Sequence, residues 1–241
     1  MTAPASPTET YREELASTPI VDSDHPTVRE FATLHAAGAA SDEERAVQLY
    51  YAVRDDIRYD PYGAAVGVET LRASETLARG RGWCVAKAVL LAAACRALGI
   101  PSRLGFADVR NHLSTARMRE HMRTDVFYWH GYTSILLGDE PRWVKATPAF
   151  NIELCEKFGL LPLEFDGRND SLFHPFDRGG HKHMEYVNER GEFTEVPLAA
   201  MLATFTEKYP FLELGGAGAD GAFGEGADFD RDVEAETSGA G

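Results

Sequence analysis

The sequence predicts one α+β domain in which a helical first half feeds an antiparallel sheet. Up to about residue 100, apolar residues recur at helical spacing between capping and stop signals. From Phe127 to Asn151 the character changes: FYWHGYTSILL and RWVKATPAF, rich in aromatic and β-branched residues and separated by GDEP, read as a β-hairpin. A chain of 241 residues, 44% hydrophobic and 26% charged, is long enough for one substantial core or two small ones.

Residues 1–24 read as a flexible arm with a short helix near Tyr11–Ala16. From Pro26 to Ala37, Val28, Phe31 and Leu34 mark a helix. Ser41 followed by Glu44 is a capping-box pattern, and Ala46, Leu49, Tyr50 and Val53 carry the period to Asp56 or Ile57. SETLAR at 74–79 gives a helical turn, and Gly80–Gly82 a loop. The next helix opens at Cys84, is built of strong helix formers, and closes at Gly99 with Pro101 beyond it. A strand over 103–109 and a polar helix over 115–122 follow, then the hairpin. Two further strands are expected at 183–187 and 192–196, joined by a Glu-Arg-Gly turn, with a last helix over 198–208. Residues 160–180 carry no pattern, and no repeat is present. The domain is thus expected over 25–212.

Composition excludes several functions. The net charge of −14 argues against nucleic acid, since phosphate binding needs a basic surface. No run approaches the roughly 18 apolar residues of a membrane span, and MTAPASPTETYREE lacks a secretory layout, so no membrane partner and a cytoplasmic location are expected. Residues 213–241 hold eight carboxylates against only Arg231, half of the net charge, diluted with glycine and alanine; such a tail reads as disordered. Cys84, Cys95 and Cys155 are odd in number and widely spaced, which favours free thiols. His174, His181 and His183 lie near Asp177 and Glu185, but no ligand spacing emerges, so neither a metal nor another cofactor is expected.

The chemistry centres on Cys84. Cys95, mid-helix among alanines, and Cys155, expected just after a strand, read as structural. Cys84 falls in the first turn of its helix, where unpaired N–H groups and the dipole favour an anion, lower a thiol's pKa and can stabilise an oxyanion. Gly82 and Trp83 immediately before it are expected to border the substrate and the oxyanion. A nucleophilic thiol needs a base and a group to hold that base. Placing the hairpin turn at Asp139-Glu140 pairs Leu137 with Arg142 and Tyr132 with Thr147. His130 then has Thr147 and Asn151 as its two diagonal neighbours, either of which could orient the ring.

GRGWCVAKAVLLAAACRALGIPSR, WHGYTSI and RWVKATPAF together resemble the transglutaminase-like superfamily of papain-type thiol enzymes. Cys84, Ala88, Arg96, Gly99, Ile100, Pro101 and Arg103 match its first block, His130 its second, and Trp143 with Pro148 its third. YYAVRDDIRYDP is similar to the helix and turn that precede the core there. The resemblance implies a papain/transglutaminase-like core with Cys84 as nucleophile and His130 as general base. It also implies a protein or peptide substrate with amide groups, with hydrolysis favoured over transfer to an amine. The chain departs from the family where an aspartate precedes the proline, because Thr147 stands there. That departure supports a rival reading, a peptide-binding or scaffold protein without catalysis; a metal-dependent hydrolase built on the late histidines is a third.

Overall fold

A central helix, apolar on every side, organises the molecule. The computed structural model describes residues 7–111, 114–172, 184–209, 223 and 226–238. In chain order, α1 (Pro7–Thr10) and α2 (Arg12–Leu15) precede α3 (Pro26–His35) and α4 (Asp42–Asp56). The Ser41 hydroxyl accepts the Glu44 N–H at 3.2 Å, and the Glu44 carboxylate accepts the Ala40 N–H at 2.7 Å. The capping box is therefore closed one residue early. β1 (Arg58–Tyr59), α5 (Val68–Leu71), α6 (Ala73–Arg79) and β2 (Arg81–Gly82) follow, with β1 and β2 paired in parallel.

α7 (Cys84–Ala97) is buried from Cys84 through Arg96. Gly99, at φ 80°, lets the chain turn back so that the Ile100 N–H reaches the Cys95 carbonyl at 2.9 Å. The sheet consists of β3 (Ser102–Asn111), β4 (Val126–Leu137), β5 (Arg142–Ala146) and β6 (Met184–Phe193), in the antiparallel order β5–β4–β3–β6. α8 (Ala116–Met122), α9 (Ile152–Lys157), α10 (Leu198–Lys208) and α11 (Phe229–Ser238) complete the described elements. α7 packs against β3 and β4 on one side and against α3, α4 and α6 on the other. Sheet hydroxyls bond its backbone: Thr133 donates to the Ala88 carbonyl and Ser102 to the Ala92 carbonyl, both at 2.9 Å.

The hairpin has the register that its turn predicts, from Leu137↔Arg142 to Thr133↔Ala146. The expected Tyr132–Thr147 pair is not formed, because the Thr147 N–H turns to the Ser171 carbonyl at 2.9 Å. Four further expectations are corrected. The Glu-Arg-Gly segment is no turn: β6 runs through it, and Gly191, at φ 99°, serves a register shift against β3. Cys155 lies in α9 rather than after a strand. Residues 7–24 pack onto the core, where Ile20 and Val21 are buried and the Ala73 N–H donates to the Ile20 carbonyl at 3.2 Å.

The acidic tail, read as disordered, carries α11. Phe229 and Val233 repeat at helical spacing and are buried with Phe223, on the order of 1.5–3 kcal/mol each. Averaged composition hides that stripe. The histidines at 174, 181 and 183, and His112, lie outside the described residues. No helix among the described residues is long and apolar enough to cross a membrane.

Candidate active site

Strand β4 touches the first turn of α7 because residue 131 is glycine. A Cβ there would lie 2.9 Å from the Val85 Cα. That approach sets the Gly131 N–H against the Cys84 thiol, alongside the N–H groups of Val85 and of Cys84 itself. Trp83, the N-cap of α7, is extended and offers no side-chain cap, so no side chain competes for the first N–H groups. Burial nevertheless dominates. It pushes the Cys84 thiol up to about 11, while the three N–H groups pull it down. Burial thus works against the expected acidification, and the N–H groups offset it only in part.

His130 adjoins Gly131 and is buried on the neighbouring stretch of β4, opposite Ala107. Between the 107–130 and 109–127 pairs, β4 carries one residue more than β3. Trp129 absorbs this bulge at φ 61°, a left-handed conformation that costs a bulky residue on the order of 1–2 kcal/mol. Asp108 holds it there. Its buried carboxylate accepts the Trp129 N–H at 3.1 Å and the Arg190 Nε at 2.5 Å, and the guanidinium lies 4.5 Å from the centre of the Trp129 ring. The bulge lets β4 turn at the very residue before His130.

Cys84 and His130 line one cleft of about 650 Å³, with Trp83, Tyr59, Tyr128 and Tyr209 among its walls. The lining is mostly aromatic and apolar. Tyr59 and Tyr209 are pushed well above the usual tyrosine range by burial, and a charge on Cys84 would add to both shifts. The walls therefore oppose a free thiolate and favour a proton passed directly to a neighbouring base.

The remaining expected residues part company. Thr147 is buried and lines a smaller cavity with His130; its hydroxyl has no hydrogen-bond partner among the described residues. Asn151 faces elsewhere: its side-chain oxygen accepts the Tyr59 N–H at 3.1 Å. Gly82 is absent from the cleft lining, where Trp83 is present. A Cβ at Gly82 would meet Ala86 at 3.0 Å, so this glycine serves close packing of α6 against α7.

Sequence reasoning missed two buried charges beside the site. Asp108 is one; a carboxylate interrupting the apolar run LGFADV was the available signal. Lys87 is the other. It lies one turn after Cys84, and its ammonium donates to the Arg54 carbonyl at 2.9 Å and the Ile57 carbonyl at 2.5 Å, where α4 ends. Burial pulls this lysine down to about 7.

The model of the Transglutaminase-like superfamily matches residues 29–148. No curated protein matches the chain. Among solved structures, one described as "a Putative Cysteine Protease from Cytophaga hutchinsonii" is 18% identical, with a TM-score of 0.43 over 58% of this chain and 42% of that one. The match thus spans less than half of that protein's length.

Proposed function

Because residues 29–148 of the chain belong to the transglutaminase-like superfamily, we propose that the protein is a thiol acyl-transfer enzyme acting on amide or peptide bonds, with water as the favoured acceptor. The observation that carries this reading is the shared cleft of Cys84 and His130, with the thiol resting against the N–H of the residue beside the histidine. In the reaction, the Cys84 sulfur attacks the carbonyl carbon as His130 takes the thiol proton. The carbonyl oxygen becomes an oxyanion facing the N–H groups at the start of α7. His130 returns its proton to the leaving nitrogen, the C–N bond breaks, and a thioester remains on Cys84. Water, deprotonated by His130, attacks the thioester carbon; the C–S bond breaks, the acid leaves, and His130 returns the proton to the Cys84 sulfur. Of the two candidates for orienting His130, Thr147 is favoured by its place in the cavity beside the ring, while Asn151 is engaged with Tyr59.

A binding-only reading has one observation in its favour. A hydroxyl at Thr147 cannot stabilise imidazolium through charge. Labelling with an electrophilic peptidyl probe separates the two. The expected result is covalent label on Cys84, none on the Cys84→Ser variant, and a rate at least ~100-fold lower for His130→Ala. Equal labelling of wild type and His130→Ala, or none on Cys84, would overturn the enzyme reading. Adding a primary amine then reports whether the thioester goes to water or to nitrogen.

A further inference from the structure

Two phenylalanines of the acidic tail reach the Cys84 cleft, Phe223 as part of its lining and Phe229 through the cleft-lining Tyr59. Phe223 is itself one wall of the Cys84 cleft and stacks on Tyr62, with ring centroids 4.6 Å apart and planes 19° apart. Phe229 meets Tyr59 and Tyr62 edge-on, at 5.8 and 5.3 Å. At helical spacing, Phe229 and Val233 form an inward stripe, with Asp230 and Glu234 on one flank and Asp232 and Glu236 on the other. Each flank finds basic partners on the body. Asp230 pairs with Arg58, and Glu234 with Lys157 at 2.8 Å. Opposite them, Asp232 pairs with Arg117 at 2.6 Å and accepts from the Tyr62 hydroxyl at 2.8 Å, while Glu236 pairs with Arg119 at 3.4 Å. The Arg117 guanidinium also donates to the Phe223 carbonyl at 3.0 Å. With this segment in place Cys84 is buried, at 6% exposure.

We propose that Phe223 and α11 form an intramolecular strap beside the mouth of the Cys84 cleft, and that the seat they occupy accepts acidic segments carrying aromatic anchors. The substrate class rests on Cys84 being the nucleophile; the strap does not. Four acidic residues facing four basic ones across an aromatic floor make a charge-matched seat, and a substrate segment entering it must displace the strap. Those ion pairs are largely exposed at their edges, so salt weakens them. Lifting the strap admits water and reagent to a thiol that is otherwise enclosed.

The test follows Cys84 alkylation by iodoacetamide in the full chain, read by mass spectrometry, with the buried Cys95 and Cys155 as internal controls. Asp232→Lys, which places two cations together at Arg117, and the double variant Asp232→Lys/Phe229→Ser are both expected to alkylate Cys84 at least ~10-fold faster than wild type. Raising salt from ~0.05 to ~0.5 M is expected to accelerate wild type in the same direction. Cys95 and Cys155 stay slow. A synthetic peptide of residues 223–238 added to the double variant restores protection, whereas the same peptide with its acids replaced by amides does not. An unchanged Cys84 rate in Asp232→Lys, acceleration of all three cysteines together, or protection by the neutral peptide would each overturn the strap. A lifted strap that exposes Cys84 yet gives no acyl product leaves the strap standing and removes the enzyme reading instead.

Discussion

Gly131 sets how closely β4 approaches the first turn of α7. With no Cβ, it allows the β4 backbone to rest on Val85 in the first turn of α7, and so brings His130 and the Cys84 thiol to one cleft. In Gly131→Ala the added carbon meets helix backbone, which cannot swing aside. Urea unfolding should show a loss of about 1–3 kcal/mol, and peptidyl labelling of Cys84 should fall more steeply than stability does. The position of Cys84 was legible in the sequence because a helix start is a local event, announced by glycines before it and helix formers after it. The protonation state of its sulfur was not. That depends on aromatic walls from β1, β4 and α10's end, and their desolvation of the thiol outweighs the N–H groups that lower its pKa.

Among the elements, those specified by short-range pattern could be read directly. The hairpin register follows from a turn of known length, and α4, α7, α8 and α10 begin within a residue of where their signals place them. The β4 bulge was invisible because it is imposed from across the sheet, by the Asp108 carboxylate on the Trp129 N–H. A glycine suited to a turn served instead a shift in register within β6, and a helix hid within acidic composition. The bulge gives a sharp expectation. Asp108→Ala strands the Arg190 guanidinium and releases Trp129, so chemical denaturation should report a loss of about 2–3 kcal/mol. Cys84 labelling should decline with it, because the strand then has no reason to turn before His130.

At the scale of the whole molecule, stability is tied to pH through Lys87. Its folded pKa, near 7, lies below the ~10.4 of an unfolded lysine. Between those values the unfolded chain binds more protons than the folded one, so stability rises with pH. From pH 7 to ~8.5 the gain should be about 1.5 kcal/mol in wild type, read from urea midpoints, and absent in Lys87→Met.

Burial from every direction gives α7 no preferred rotational phase, for an oily cylinder can spin about its axis at little cost. Directional bonds select the angle: Lys87 to the end of α4, Thr133 and Ser102 to the Ala88 and Ala92 carbonyls, and Arg96 to the carbonyls of Ala16, Ser102 and Thr194. The compass bearing of the sulfur is therefore written in polar contacts far along the rod, much as a key's teeth are indexed by its bow.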